Sequence, residues 1–465
     1  MFIGRTKELA TLEKAWGKNE FQFLVMYGRC RVGKSMLLTH FAENKHGIYH
    51  LAQETSPKIA LEQFSKSVEK FTGQIGLNFS SWEEALESIA AIAESRRIFL
   101  IIDEFPYLAE SDTSLLSLMQ NYIDTKLKNK SLLLILCGST VSFMEREVLG
   151  VKSPLFGRRT GQMRIEPFDY LTGSLFVPNF SNSDKAMTYY VFGGTPHYLA
   201  KLDDSRSLAE NIIENVLDSH SYLYDEPTLL LKQELREPAI YNAVIEAIAS
   251  GSSRLNDIST RIGEDISKCG KYLKTLIDLG VVLRQTPIGS KPGAKKTLYS
   301  LSDPFFSFWY TFVFPHRTRL MRDSPELIYE EEISRDINQY AGRLFERICE
   351  EFLQILNSRR ELPFVFRDIG RWWGTCPKTK SQVEIDLVAY GRDNEVLVGE
   401  CKWTNDLIDM QSVNNFLEKC NTLPNSKKHY VMFSKSGYTK AVIEKAQQQD
   451  VLLFELDDLF TILPL

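Results

Sequence analysis

No two of the seven cysteines, at positions 30, 137, 269, 349, 376, 401 and 420, stand as a C-x-x-C pair. This excludes a zinc ribbon and gives no sign of a disulfide framework. A basic-then-apolar leader is also missing, so a reducing, cytoplasmic compartment is expected. The longest apolar runs, such as residues 132–137, are strand-sized and far short of a bilayer span, so no membrane role is indicated. Positive charge is not in excess either: the formal net charge is −5. A uniformly basic nucleic-acid coat is thereby excluded, although a local basic patch is not. The 465 residues suffice for about two to four domains, each with its own core.

What is present begins with Gly28-Arg29-Cys30-Arg31-Val32-Gly33-Lys34-Ser35, a full match to G-x-x-x-x-G-K-[ST]. An apolar run at residues 21–27 precedes it, and Leu37, Leu38 and Phe41 follow at helical spacing. Strand, glycine loop and helix in that order let the N–H groups of the loop turn inward onto phosphate. Gly28 and Gly33 permit the tight turn, Lys34 reaches the β and γ phosphates, and the Ser35 hydroxyl binds Mg²⁺. ATP and Mg²⁺ are the ligands this implies.

Residues 98–104, Ile-Phe-Leu-Ile-Ile-Asp-Glu, read as a strand covered on both faces that ends in Asp103 and Glu104. Open α/β sheets bind ligands at the carboxyl ends of their strands, which sets these acids beside the phosphate loop. Asp103 is expected to hold Mg²⁺, directly or through water, and Glu104 to polarise the attacking water. The buried run 132–137 stops at Gly138-Ser139-Thr140, where a hydroxyl either senses the γ phosphate or caps a helix. Residues 154–160 place Arg158 and Arg159 in a glycine turn. They either stabilise charge on the transferring phosphoryl group or form a solvated basic loop.

GRCRVGKS, FLIIDEF, LLLILCGST, PLFGRRT and the later Gly193-Gly194-Thr195-Pro196-His197-Tyr198-Leu199, in that order, resemble the AAA-type ATPases common in archaea and some bacteria. Members often carry a C-terminal region long labelled as a domain of unknown function. The resemblance runs over the whole chain. It implies that Ser139 is the polar sensor, that Arg158 or Arg159 is an arginine finger, and that the Gly-Gly-Thr-Pro turn belongs to a helical lid. Rings in this class often work as hexamers, which makes a homo-oligomer possible.

Between residues 242 and 300 the pattern turns to three short helices, with apolar faces at Val244, Ile245 and Ile248, at Leu255, Ile258 and Ile262, and at Cys269, Leu273 and Leu276. Two alternating strands follow, at 281–285 and 297–301. Three helices and a hairpin with a basic tip are the plan of a winged helix. Residues 238–300 hold nine Lys or Arg against five Asp or Glu, a surplus of four in an acidic chain. Lys268, Lys271 and Lys274, with Lys291, Lys295 and Lys296 on the wing, are expected to contact DNA phosphates, the alternative being a solvated face of an interaction module. The aromatic cluster at 303–310 reads as core or domain seam.

A second chemistry is written near the C-terminus. Residues 340–355 form a helix bearing Glu346, 383–390 a strand bearing Asp386, and 396–403 a strand bearing Glu400-Cys401-Lys402. Period-two geometry puts Glu400 and Lys402 on one face, and an odd register, Gly391 with Glu395, sets Asp386 opposite Glu400. That register is the expectation. Two carboxylates and a lysine so placed bind Mg²⁺ through oxygen and orient water for attack on phosphate. Asp386, thirteen residues, then Glu400-x-Lys402, after a helical Glu346, resembles the PD-(D/E)XK nuclease superfamily. The resemblance adds Glu346 to the Mg²⁺ ligands and points to Gln411 on the next helix, where some branches keep glutamine. The naming proline is absent, since Asp386 follows Ile385.

The expected fold is α/β: a P-loop core over 1–165, a helical lid over 166–237 and a winged helix over 238–302. A connecting segment at 303–335 leads to a restriction-endonuclease-like domain over 336–465. The function expected is an ATPase that binds DNA and cuts it with Mg²⁺ under nucleotide control. The alternative is a nucleotide switch or scaffold whose C-terminal fold is not catalytic.

Overall fold

The computed structural model describes residues 2–235, 237–291, 296–376, 380–392, 394–423, 427–449 and 451–462. Two compact units divide the chain, Met1–Pro167 and Phe168–Leu465.

The first unit is built on five parallel strands, β1 (Gln22–Tyr27), β2 (Gly47–Leu51), β3 (Ile98–Asp103), β4 (Leu132–Gly138) and β5 (Gly161–Arg164), in the order β2-β3-β4-β1-β5. Every residue of β1, β3 and β4 is buried, because helices cover both faces. Parity sorts the side chains. Phe23, Val25, Leu100, Ile102, Leu134 and Leu136 pack with helices Pro57–Thr72, Trp82–Ser95 and Leu115–Thr125. Leu24, Met26, Phe99, Ile101, Leu133 and Ile135 pack with helices Thr6–Trp16 and Lys34–Ala42. Each such burial is worth about 1.5–3 kcal/mol, so the middle of each central strand is apolar, with Gln22 at the start of β1 and Asp103 at the end of β3 as buried polar residues. The short edge strand β5, Gly-Gln-Met-Arg, has no apolar run and was not expected.

The second unit opens with helices that include Asn182–Phe192 and Glu226–Glu234. Gly194 is obligatory here: a Cβ would meet Phe168 O at 1.8 Å, where Phe168 N donates to Gly194 O. Helices Pro238–Ala249, Leu255–Ile262 and Ile266–Asp278 then lead into the antiparallel pair β6 (Val282–Gln285) and β7 (Leu298–Leu301). Lys295 lies outside the described residues. The hairpin loop does not stand clear: Ile288 is buried, and its N–H donates to Arg371 O at 2.9 Å.

Phe305, Phe306, Phe308 and Trp309 are wholly buried, as core residues should be, and the Trp309 indole N–H donates to Tyr224 O. Residues 304–333 are short helical turns on the same core. Helix Ile337–Arg359 follows and covers a mixed sheet of β8 (Asp368–Thr375), β9 (Gln382–Tyr390), β10 (Glu395–Lys402), β11 (Lys427–Ser434) and β12 (Val451–Glu455). The order is β12-β11-β10-β9-β8, with β10, β11 and β12 parallel and β8–β9 and β9–β10 antiparallel. Among the described residues no helix is long and apolar enough to cross a membrane.

Candidate functional sites

In the first unit the carboxyl ends of β1, β4 and β3 lie in line, since Tyr27 pairs with Gly138 and Ile102 with Leu136. The phosphate loop leaves the end of β1. Gly28 sits where a Cβ would meet Ile165 O at 2.2 Å, and Gly33 (φ 90°) and Arg31 (φ 72°) take the left-handed conformation. Helix Lys34–Ala42 then starts with no side-chain cap, leaving its positive end to an anion. The Lys34 ammonium is buried on Gly28 O (2.8 Å) and Arg29 O (2.9 Å), inside the loop it would share with phosphate. Ser35 is exposed, Cys30 is half-buried, and Arg29 and Val32 are buried in the loop wall.

Arg5, which sequence reasoning missed, braces this loop from outside. Its guanidinium donates to Val32 O (2.7 Å) and Glu166 O (2.8 Å) and pairs with Glu8.

Asp103 is fully buried and accepts from the Tyr49 hydroxyl at 2.6 Å and from the Glu104 N–H at 3.0 Å. Burial and the Asp103 charge push the Tyr49 phenol far up, so it stays a donor. Glu104 adopts a left-handed conformation (φ 53°, ψ 42°), which is unfavourable for a residue with a Cβ. Its carboxylate accepts from Ser139 N–H (3.1 Å) and Ser139 Oγ (2.7 Å). The structure thus brings Glu104 and Ser139 together, and no side chain caps the helix that follows Thr140.

The two arginines part company. Arg158 grips Asp124 through Nε (2.9 Å) and Nη2 (2.6 Å) and donates to Pro154 O and Phe156 O. It is committed to holding its own turn. Arg159 is half-buried and makes no ion pair among the described residues.

The second unit gathers the C-terminal motif. Val396 pairs with Tyr390 and Gly399 with Leu387, and Gly391 N–H closes the turn on Glu395 O. This is the odd register, and continuing it one step sets Asp386 against Glu400. Asp386 Oδ2 accepts the Cys401 N–H at 2.9 Å. Glu400 lies in the floor, with Oε1 held by Lys402 Nζ (2.6 Å) and Lys419 Nζ (2.8 Å). Glu400 Oε2 is buried without a hydrogen-bond partner among the described residues. Lys419, in the last turn of helix Met410–Cys420, was missed; Gln411, in the first turn, is exposed.

Glu346 is the exception. Arg371 of β8 stands 3.1 Å from its Oε2 and also pairs with Glu384. Among the described residues no three His, Cys, Asp or Glu side chains gather as a metal cage, so the expected set of Glu346, Asp386 and Glu400 is not assembled. The Arg371 guanidinium is the positive charge that stands beside Glu346. Burial pushes the Glu346 carboxyl up to about 8; Arg371 opposes the rise, while Asp386, Glu384 and Glu400 add to it. Burial and the charge on Glu400 push Asp386 up to about 6, against the Cys401 N–H and the two lysines. Crowded carboxylates and an orphaned Glu400 oxygen are what one divalent cation between Asp386 and Glu400 would relieve, so those two residues fit Mg²⁺.

A family model for an ATPase domain predominantly from Archaea matches residues 2–202, and one for archaeal and bacterial proteins of unknown function matches residues 309–416. Uncharacterized protein MJECL04 of Methanocaldococcus jannaschii is 34% identical over 465 residues, covering 98% of this chain and 100% of its own. The uncharacterized ATP-binding protein MJ0423 of that organism is 49% identical over 45 residues, 10% of this chain and 76% of that one. Among solved structures, the Walker-type ATPase PABY2304 of Pyrococcus abyssi is similar at 21% identity and TM-score 0.49, over 66% of this chain and 96% of that one. The Aeropyrum pernix ORC2 protein, solved in ADPNP–ADP complexes, is similar at 14% identity and TM-score 0.43, over 68% and 95%. The chain belongs to the family of archaeal-type P-loop ATPases in which an ATPase domain is followed by the C-terminal domain shared by archaeal and bacterial proteins of unknown function.

Proposed function

We propose that this ATPase binds DNA and cleaves it with its C-terminal domain, cutting being gated by nucleotide state. The observation that carries the reading is the convergence of Asp386, Glu400 and Lys402 at one hairpin, in the register that faces the two acids.

In the first unit, over 1–165, the loop 28–35 cradles the phosphates of ATP, and Lys34 exchanges its two carbonyl partners for phosphate oxygens. Asp103 and Ser35 hold Mg²⁺. Glu104 turns from Ser139 to orient the attacking water, Ser139 senses the γ phosphate, and Arg159 supplies positive charge in cis or from a neighbouring copy in a homo-oligomer. Beyond that core, 166–237 serves as lid, 238–302 as a winged helix, 303–335 as connector and 336–465 as the nuclease. DNA lies along the exposed Lys268, Lys271 and Lys274, one face of helix Ile266–Asp278. At the nuclease site Asp386 and Glu400 hold Mg²⁺, and the Lys402 ammonium orients water toward the phosphodiester. Bound there, or at Ser35 and Asp103, Mg²⁺ would supply Lewis-acid activation of phosphoryl oxygen.

A second reading keeps the ATPase as a switch or scaffold with a non-catalytic C-terminal fold. The Arg371 guanidinium beside Glu346 favours it. ATP turnover and DNA cleavage by the Glu104→Gln and Lys402→Ala proteins separate the two. Under the nuclease reading Lys402→Ala abolishes cutting and spares ATP hydrolysis. A wild-type protein that hydrolyses ATP and cuts nothing leaves the switch.

A further inference from the structure

Two ammonium groups meet on a single oxygen of Glu400. Lys402 Nζ, from β10, and Lys419 Nζ, from helix Met410–Cys420, stand 2.6 and 2.8 Å from the same atom, Oε1. The two nitrogens are therefore no further apart than those distances laid end to end, about 5.4 Å. Both lysine side chains are near 40% exposed, at 40% and 38%, while that of Glu400 is 3% exposed. The carboxylate is the floor and the ammonium groups are the rim.

A lysine in the last turn of a helix is favoured there by the helix dipole alone, by about 0.3–1 kcal/mol, but that gain needs only a solvated head near the helix end. Here the head leaves the helix end for a nearly inaccessible oxygen that Lys402 already contacts. Two half-exposed ammonium groups that meet on one oxygen are close enough to reach two oxygens of one phosphate group, each through a charge-assisted hydrogen bond.

We infer that Lys402 and Lys419 form a two-pronged clamp for a phosphodiester of a nucleic-acid backbone, with Lys419 a substrate-contacting residue that lies outside the D-x(n)-E-x-K pattern. The choice of nucleic acid as substrate rests on the reading of Asp386, Glu400 and Lys402 given above; the clamp itself needs no cleavage. Substrate phosphate draws both ammonium groups outward from Glu400, which frees Oε1 as well as Oε2 for Mg²⁺. One movement thus binds the substrate and opens the acid.

The test is DNA binding by the full chain in EDTA, followed by fluorescence anisotropy of a labelled oligonucleotide over a range of KCl concentrations, for wild type, Lys419→Ala and Lys419→Arg. Each lost phosphate contact lowers the steepness of log K against log salt by about 0.9 for duplex and about 0.7 for single strands. Lys419→Ala is expected to lose one such contact and to bind several-fold more weakly at low salt, whereas Lys419→Arg keeps the wild-type slope. Contacts made elsewhere, including those of residues 238–300, cancel in the comparison. An unchanged slope in Lys419→Ala, an equal change in both variants, or no DNA binding by wild type overturns the clamp. A slope change without any Mg²⁺-dependent cutting upholds the clamp and removes the nuclease; cutting with an unchanged slope does the reverse.

Discussion

Tyr49 donates its hydroxyl to Asp103 Oδ2 at 2.6 Å, and Asp103 has no exposed surface. A residue of β2 thus fixes the acid at the end of β3 that is proposed to hold Mg²⁺. Tyr49→Phe leaves one buried carboxylate oxygen without its donor, a loss of about 1–3 kcal/mol. Thermal unfolding of the first unit is expected to fall by several degrees, at about 2–4 °C per kcal/mol. The Mg²⁺ concentration giving half-maximal ATP turnover is expected to rise, while ATP affinity in EDTA stays unchanged. A variant with wild-type Mg²⁺ dependence would show that Tyr49 only fills space.

Arg158 and Arg159 are adjacent but differently employed. Because Arg158 is tied to Asp124 at a partly exposed position, Arg158→Ala is expected to cost no more than about 1 kcal/mol of stability. Arg159→Ala, by contrast, is expected to slow ATP hydrolysis by about 10³-fold, the low end for loss of an arginine finger, with little change in nucleotide affinity. Steady-state turnover and nucleotide titration of both variants check this, and the opposite ranking would reassign the finger to Arg158.

The acids near the C-terminal motif give a pH signature. Folding raises Glu346 from 4.5 to about 8 and Asp386 from 3.8 to about 6. Between the unfolded and folded values the native state binds more protons than the unfolded one, so stability falls as pH rises through that window. For Glu346 the penalty is absent below about pH 4.5, grows to about pH 8 and is complete above it. Thermal melts of wild type and Glu346→Gln are expected to diverge with rising pH, the glutamine form becoming the more stable at pH 8. Parallel melting curves across that range would contradict it.

The parts of this molecule legible in the sequence are those where local chemistry decides. Residues 98–102 and 132–137 are continuous apolar runs because helices cover both faces, and a glycine loop before Lys34 can serve few other purposes. The parts that escaped depend on what the chain meets in space. β8, Asp-Ile-Gly-Arg-Trp-Trp-Gly-Thr, is an edge strand with two glycines and an irregular register at 370–372, so its pattern is not that of a buried strand. Arg371 gains its meaning only when β8 places it beside Glu346 and Glu384. Lys419 is seventeen residues past Lys402, and nothing local says that its helix folds back over Glu400. Arg158 looked available in its turn until Asp124 of helix Leu115–Thr125 closed on it. The hairpin register lay between: strand alternation allowed two answers, and the Gly391–Glu395 closure selected the one that joins the acids.

The measurement that bears most directly on the account is cleavage of labelled linear, branched and single-stranded DNA with Mg²⁺ or Mn²⁺, with and without ATP, by this protein and by its Asp386→Ala form. Cutting by the wild type is expected to depend on the divalent ion, to change with ATP and to disappear in Asp386→Ala while ATP hydrolysis persists. Intact DNA of all three kinds alongside normal ATP hydrolysis, or cutting that survives the loss of Asp386, would contradict it.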